Sequence, residues 1–224
     1  MVLIEISSDI KAKFENLYLG AALIRNVNSM NYCSELLSEI KRVENWVRNN
    51  FNLKTLKDMP IIRAYRDFYW RVKIDPTKQR PSAEALIRRI LRGKGLPRIN
   101  CAVDVYNIVS ILTQISIGAY DYNKIVEPII LRWSKEGEEF WGIGDKKRRI
   151  TKQPVIADRE KIINLYPHRD SELTKITNET KNILIITCGV PGISRKNLIK
   201  TAEMAGEYTV KFCGGEIVEL KIID

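Results

Sequence analysis

The chain has 224 residues, 45% of them hydrophobic and 29% charged, and a formal net charge of +10 at pH 7. This length suits one large domain or two small ones, with enough apolar residues for a core. No stretch approaches the roughly 20 consecutive apolar residues of a membrane span. The N-terminus meets polar and acidic residues too early for a secretory signal, so we expect a cytoplasmic protein with no membrane partner.

The four cysteines are scattered along the chain, and there is one histidine. This set of residues supports neither a disulfide framework nor a zinc site, because no paired C-x-x-C is present and ligands are scarce. We therefore expect no metal and no cofactor.

The positive charge suits a protein that approaches polyphosphate, because long-range attraction raises the encounter rate. Basic residues are densest between Arg71 and Arg98, and a second basic run, DKKRRITK, lies at 145–152. A solvated helix face is the alternative interpretation of the first run. The candidates for contacts with RNA phosphates are Arg88, Arg92, Lys94 and Arg98.

Hydrophobic patterns predict helices in the first half of the chain and mainly strands in the second. Strands are predicted at MVLIEIS and YLGAALIRNVN. Helices are predicted at SELLSEIKRVENWVRNNF, MPIIRAYRDFYWRVKID, RPSAEALIRRILRGKG and residues 100–113. Short β-branched runs then alternate with Gly, Pro, Asn and Asp, a late helix begins at Ser194, and GEIVELKII ends the chain as a strand. These elements favour a single α+β domain.

The helix predicted at residues 100–113 carries an unusual polar stripe. Asn100, Asp104 and Asn107 share one side of it at spacings i, i+4 and i+7, opposite an apolar face. Asn and Asp are short and poor helix formers, which suggests fixed partners nearby. Those partners are either backbone groups of neighbouring loops or a ligand.

A second cluster, YPHRDSELTKITNET, contains the only histidine. His168 is a candidate proton carrier near neutral pH, and the adjacent Arg169 and Asp170 could orient it or bind an oxyanion. The structural alternative is an ordinary turn. These residues are the candidates for a catalytic role.

Two segments resemble the bacterial phenylalanyl-tRNA synthetase beta subunit. LPRINCAVDVYNIVS followed by GAYDYNKI is similar to R-x-I-N-x-x-V-D-x-x-N-Y-V followed by H-A-F-D, and SELTKITNETKNILI is similar to S-x-V-T-x-x-T-x-N-V-L-L-E. These motifs belong to the B-three and B-four modules, which form the editing domain of that subunit. Free-standing proteins of the same domain family also resemble RPSAEALIRRILRGKGLPRIN, VDVYN and HRDSELTKIT.

The resemblance implies an α+β fold with a mostly antiparallel sheet packed with helices, spanning residues 1–224. Residues 1–79 would form N-terminal strands and helices, and residues 80–224 would carry the family motifs. It also implies a pocket for the aminoacylated 3′ end of tRNA. Two positions depart from the motifs: Gly118 replaces the histidine of H-A-F-D, and Ile186 replaces the final glutamate. Both positions line the editing pocket of the synthetase, so tyrosine specificity does not carry over.

The leading hypothesis is a tRNA-binding, editing-type domain that hydrolyses the ester of a mischarged aminoacyl-tRNA in trans, without being a complete synthetase. An activated ester needs only a positioned water and donors for the tetrahedral oxyanion. Alternatives are a non-catalytic tRNA-binding module, with a synthetase or other protein partner, and, more remotely, a free amino-acid binding protein. The candidates for the substrate pocket and its supporting helix are Asn100, Asp104, Asn107, Tyr120, Asp121, Arg80 and Glu84.

Overall fold

The computed structural model describes residues 1–30 and 32–224. The helices are α1 (Ser8–Lys13), α2 (Ser34–Asn50), α3 (Pro60–Arg71), α4 (Ser82–Leu91), α5 (Cys101–Thr113) and α6 (Arg195–Cys213). The strands are β1 (Ile4–Ile6), β2 (Leu19–Arg25), β3 (Ile117–Asp121), β4 (Ile129–Trp133), β5 (Glu138–Phe140), β6 (Arg148–Ile150), β7 (Pro154–Ala157), β8 (Ile162–Leu165), β9 (Arg169–Asp170), β10 (Ile183–Cys188) and β11 (Glu216–Ile223).

An antiparallel sheet in the order β11-β2-β10-β3 forms the middle layer. Successive side chains of a strand point to opposite faces, and both faces of the inner strands β2 and β10 are covered. Ala22 and Ile185 pack with apolar residues of α2, α4, α5 and α6. Leu23 and Leu184 pack with apolar residues of α3 and the second sheet. This double burial explains why β2 and β10 are continuous apolar runs without alternation.

The second sheet has the order β1-β4-β7-β8-β9, in which only β1 and β4 pair in parallel. The hairpin of β5 and β6 covers part of this sheet, because Phe140 and Ile150 join Val155 and Leu165 in a small separate core. The short strand β9 also approaches β3 at the edge of the middle sheet. The two sheets therefore meet where β3 and β9 lie side by side.

The expected α+β class with mostly antiparallel pairing is confirmed. The start signals of two helices are also visible: the side chain of Asn100 accepts a hydrogen bond from Val103 N at 3.0 Å, and Ser194 caps α6 through Asn197 N at 3.2 Å. Within the described residues, no helix has the length and apolar character that crossing a membrane requires.

Candidate functional site

A cavity of about 380 Å³ opens at the start of α5, and we call it the α5 pocket. Its wall consists of Ile99, Asn100, Val103 and Tyr106, of Ala119 and Ile143, and of residues 175–178. The volume lies within the range of small-molecule sites. Because the Oδ1 atom of Asn100 accepts the Val103 N–H, its amide N–H groups remain available as donors.

The far wall of the α5 pocket is a turn fixed by Asp121. Thr180 donates its hydroxyl to Asp121 Oδ2 at 2.9 Å, and the same hydroxyl oxygen accepts from Thr177 N at 3.0 Å. Asp121 is 6% exposed. This aspartate therefore acts through the turn, which places Thr177 and Asn178 at the pocket.

The polar stripe expected on α5 is only partly turned toward the pocket. Asn100 lines it, but Asp104 is fully buried, where it accepts from Tyr32 Oη at 2.7 Å and from Ile99 N at 3.0 Å. Removal from water raises the pKa of Asp104, against these two hydrogen bonds and the charge of Arg98. Asn107 is half-buried and lies outside the pocket wall. The pocket-facing residue of this helix that sequence analysis missed is Tyr106.

On the opposite face of the middle sheet lies a second group, which we call the Gly118 corner. Gly118 and Ile186 are direct cross-strand partners, so the two departures from the family motif form a single pair. A Cβ atom at position 118 would overlap the hydroxyl of Tyr120 and lie 3.2 Å from Asp170 Oδ1. Tyr120 and Ile186 are fully buried. The space that a side chain at position 118 would enter is therefore filled.

Asp170 connects the Gly118 corner with the α5 pocket. Its carboxylate accepts from Asn164 Nδ2 at 2.8 Å, while its backbone carbonyl accepts from Ile143 N at 3.1 Å and so holds Ile143 at the pocket wall. Removal from water raises the pKa of Asp170 to about 6, against the hydrogen bond from Asn164, the nearby hydroxyl of Tyr120 and the charge of Arg169. A carboxyl group tuned close to neutrality is typical of general bases.

His168 and Arg169, the two residues before Asp170, do not line the α5 pocket. Arg169 pairs with Asp145 at 2.8 Å and donates to the carbonyl of Ile143 at 2.7 Å, so it anchors the segment that carries Ile143. The imidazole of His168 packs against Tyr69, with ring centroids 5.9 Å apart. Burial and the charges of Arg148 and Arg169 lower the pKa of His168 to about 4. His168 is therefore neutral at pH 7 and lies outside the α5 pocket wall.

The remaining basic candidates divide between two places. A cleft of about 360 Å³, which we call the arginine cleft, is lined by Lys78, Arg80, Ala85, Arg88, Arg89, Arg92 and Lys94. Arg88 donates through Nε to Glu84 at 2.7 Å, and the fully buried Glu84 also binds Arg66 at 3.1 Å. Arg80 therefore lies away from the α5 pocket, and Arg98 lies near Asp104 instead of in the cleft.

A family model described as the B3/4 domain matches residues 64–213. The chain belongs to the B3/4 domain family. This B3/4 domain is similar to the phenylalanine–tRNA ligase beta subunit of Fusobacterium nucleatum subsp. nucleatum, at 34% identity over 138 residues, covering 61% of this chain and 17% of that protein. The corresponding subunit of Carboxydothermus hydrogenoformans is 33% identical over 143 residues, covering 63% of this chain and 17% of that protein. The chain thus spans about a sixth of the length of these relatives.

The B3/4 domain also matches a solved N-terminal fragment of the phenylalanyl-tRNA synthetase beta subunit from Pyrococcus horikoshii. The TM-score is 0.51 at 14% identity, and the match covers 99% of this chain and 50% of that chain. At this identity the match shows the fold alone. Nearly the whole chain therefore takes part in a fold seen in that fragment.

The buried pairing of Glu84 predicts a structural effect. Glu84→Ala should lower the free energy of unfolding by about 3 kcal/mol, because Arg66 and Arg88, only 14% and 15% exposed, lose their counter-charge. Urea unfolding followed by circular dichroism measures this. Glu203→Ala, at an exposed position of α6 without an ion pair, is the matched control. Equal unfolding midpoints for the two variants would contradict the assignment.

The Gly118 corner predicts coupling between two side chains. Gly118→Ala should destabilise the protein by overlap with the Tyr120 hydroxyl, and Tyr120→Phe should recover part of the loss by removing that oxygen. We expect a coupling free energy of about 1 kcal/mol in a double-mutant cycle from urea unfolding. The control cycle uses Tyr122→Phe, whose hydroxyl binds Glu127 at 2.6 Å. If the effects of the two substitutions on the free energy of unfolding were additive in both cycles, the Tyr120 hydroxyl would not fill the space next to Gly118.

The raised pKa of Asp170 predicts a pH-dependent gain in stability for Asp170→Asn. The folded wild type keeps the proton up to about pH 6, whereas the unfolded chain releases it near pH 4, so wild-type stability falls as pH rises through this window. The variant lacks this loss. Allowing for solvent screening at a half-buried carboxyl, it should gain about 1 to 2 kcal/mol above pH 6.

Urea unfolding at pH 4, 5, 6 and 7.5 measures this gain for Asp170→Asn. The difference between variant and wild type should shrink toward zero as the pH falls from 6 to 4. Asp145→Asn, at an exposed carboxylate, serves as the control for a general effect of removing one negative charge. A pH-independent difference would mean that Asp170 does not titrate in this range.

Proposed function

We propose that this B3/4 domain binds tRNA and hydrolyses the ester of a mischarged aminoacyl-tRNA in trans, with the aminoacyl end in the α5 pocket. The observation that carries the proposal is that Asp170, a carboxyl group whose pKa lies near 6, adjoins the pocket from the Gly118 corner. Its backbone carbonyl accepts from Ile143 N at the pocket wall, and, after burial, its charge contributes to the raised pKa of the wall residue Tyr106. The similarity to phenylalanine–tRNA ligase beta subunits supports a tRNA partner. A synthetase is a second possible partner for the same reason.

The proposed reaction needs only a few catalytic groups. In an aminoacyl ester the carbonyl carbon is already electrophilic, so hydrolysis needs a water held in line, a proton acceptor and donors for the developing oxyanion. The amide of Asn100, the hydroxyl of Thr177 and the amide of Asn178 are donors at the pocket wall. Asp170 in its carboxylate form is the candidate proton acceptor. Asn164 fixes its orientation by a hydrogen bond and keeps part of its charge stabilised.

The other candidates from the sequence take supporting roles in this proposal. Arg169 holds the segment with Ile143 in place, and Asp121 holds the turn with Thr177. His168 is the weakest base of the group, because its pKa of about 4 makes it a poor proton acceptor at neutral pH. Free cations of the arginine cleft, such as Arg92 and Lys94, would meet the RNA phosphates.

One observation favours a non-catalytic tRNA-binding module as the second candidate. The pair Gly118 and Ile186 places no polar side chain where the family motifs have a histidine and a glutamate, and Tyr120 fills the resulting space. A domain of this kind would keep its affinity for tRNA and lack turnover. Binding that weakens steeply with salt, without release of the amino acid, would identify it.

The proposal predicts ester hydrolysis on a panel of mischarged tRNAs. Purified protein should release the amino acid from at least one of them, and Asp170→Asn should lower the rate about 100-fold or more, as expected for loss of a general base. The wild-type rate should rise with pH through about 6 and then level off, because the carboxylate form is the active one. Release of radiolabelled amino acid between pH 5 and 7.5 measures both effects.

Two controls sharpen this experiment. Asp145→Asn removes an exposed carboxylate from the same region and should change the rate little, since the Asp145 carboxylate pairs with Arg169 and lies outside the α5 pocket wall. Tyr120→Phe removes the hydroxyl that lies near the Asp170 carboxyl at the Gly118 corner, and it should leave tRNA affinity unchanged. Absence of turnover on every mischarged tRNA, with binding intact, would reject hydrolysis in favour of the binding module.

A further inference from the structure

A third cavity, of about 290 Å³, lies where α1, α3 and β4 end, and its wall contains no carboxylate. We call it the Trp133 cleft, and its principal residues are Lys13, Arg71, Lys73, Trp133 and Lys152. Among residues 1–30 and 32–224, none of these four cations forms an ion pair. The cleft therefore presents uncompensated positive charge around one indole ring.

The indole of Trp133 is supported from inside the protein. Phe14 is buried with its ring centroid 6.1 Å from that of Trp133, and Arg71 lies over Phe14 at 4.8 Å while donating to the carbonyl of Lys13 at 3.1 Å. The ammonium of Lys13 lies 4.7 Å from the centroid of the Trp133 ring. A flexible lysine is the group that covers this aromatic face, and a planar ligand can displace it while keeping its charge nearby.

Two of the lysines in the cleft have an uncommon backbone conformation. Lys73 has φ 62° and Lys152 has φ 53°, a region that favours glycine and asparagine. The other non-glycine residues with positive φ in the described chain are Asn16, Asn26 and Gln114. Both lysines with this conformation thus line the same cleft, which directs two exposed cations toward one space.

The Trp133 cleft and the arginine cleft are joined by one short loop. Lys73 lines the first and Lys78 lines the second, and the two lysines are five positions apart in the sequence. At about 3.6 Å per residue their Cα atoms lie at most about 18 Å apart. A polyanion of a few repeating units can therefore contact both clefts along this loop.

We propose that the Trp133 cleft binds an unpaired nucleotide of an RNA strand, with the base stacked on Trp133 and the flanking phosphates on Lys73 and Lys152. The strand continues along the loop to the arginine cleft. Aromatic rings beside free cations suit this ligand, because every base has a flat face to stack and every linkage has a charge. The choice of RNA as the ligand rests on the proposed function. The inference adds an RNA contact at the Trp133 cleft, away from the α5 pocket where the ester would be hydrolysed.

The test measures affinity for RNA without measuring hydrolysis. Labelled single-stranded RNA of about 15 nucleotides and uncharged tRNA are titrated by fluorescence anisotropy at several salt concentrations. Trp133→Ala should weaken binding about 10-fold, as loss of one stacked base does. The matched control is Trp70→Ala, because Trp70 is 55% exposed on α3 and lies outside the cleft wall.

A second pair of variants guards against a folding effect of the tryptophan change. Lys73→Gln with Lys152→Gln alters only exposed side chains and should reduce the slope of log affinity against log salt by about 1.4, the value for two lost phosphate contacts on a single strand. Lys41→Gln with Lys196→Gln removes the same charge from exposed positions elsewhere and should reduce the slope less.

Three results would overturn the proposal: equal affinities for the Trp133 and Trp70 variants, equal salt slopes for the two lysine pairs, or binding of a free mononucleotide as tight as binding of the strand. The last result would assign the cleft to a small nucleotide. A protein that binds RNA through the Trp133 cleft and hydrolyses no mischarged tRNA would keep this inference and refute only the proposed function.

Discussion

The fold depends on the burial of β10 on both faces and along both edges. β10 pairs with β2 and β3, and each residue from Ile183 to Cys188 is buried. A strand in this position can carry no charge without a large desolvation cost. The edge strand β3, by contrast, ends on the carboxylate Asp121 and has only β10 as its partner in the middle sheet. The α5 pocket and the Gly118 corner lie on the two faces of that edge, and β9 passes beside it.

The acidic side chains that are withdrawn from water differ in how their charge is compensated. Glu84 has two arginine partners, and Asp104 has a tyrosine hydroxyl and a backbone N–H. Asp121 has the Thr180 hydroxyl and the backbone N–H of Asn123. Asp170 is half-buried, has the amide of Asn164 and no directly bound cation, and removal from water raises its pKa to about 6. A carboxyl group with this pKa changes its protonation state closer to neutral pH than an ordinary aspartate does.

The segments named from the sequence contribute to the α5 pocket, but the residues of α5 that line it are only partly those of the polar stripe. The spacing of Asn100, Asp104 and Asn107 defines a polar face, yet the pocket wall follows Asn100, Val103 and Tyr106. Both sets fit a period of 3.6 residues, and the orientation of the helix is set by its packing on α4 and α6. The helix α6 is far from α5 in the sequence, so local periodicity could not show which face of α5 would pack against it. The sequence also could not show that Gly118 pairs with Ile186, because the register of β3 against β10 is fixed only when the two strands come together in the folded protein.

The positive charges of the protein are not equally available to a ligand. Composition counts every arginine equally, but Arg66 and Arg88 neutralise Glu84 and Arg169 pairs with Asp145. An arginine held in such a pair keeps its formal charge while its hydrogen-bonding directions are occupied. Several cations without an ion pair among the described residues lie in two clefts on either side of the loop from Lys73 to Lys78. The local arrangement of such cations, more than the net charge of +10, decides where a polyanion would be attracted.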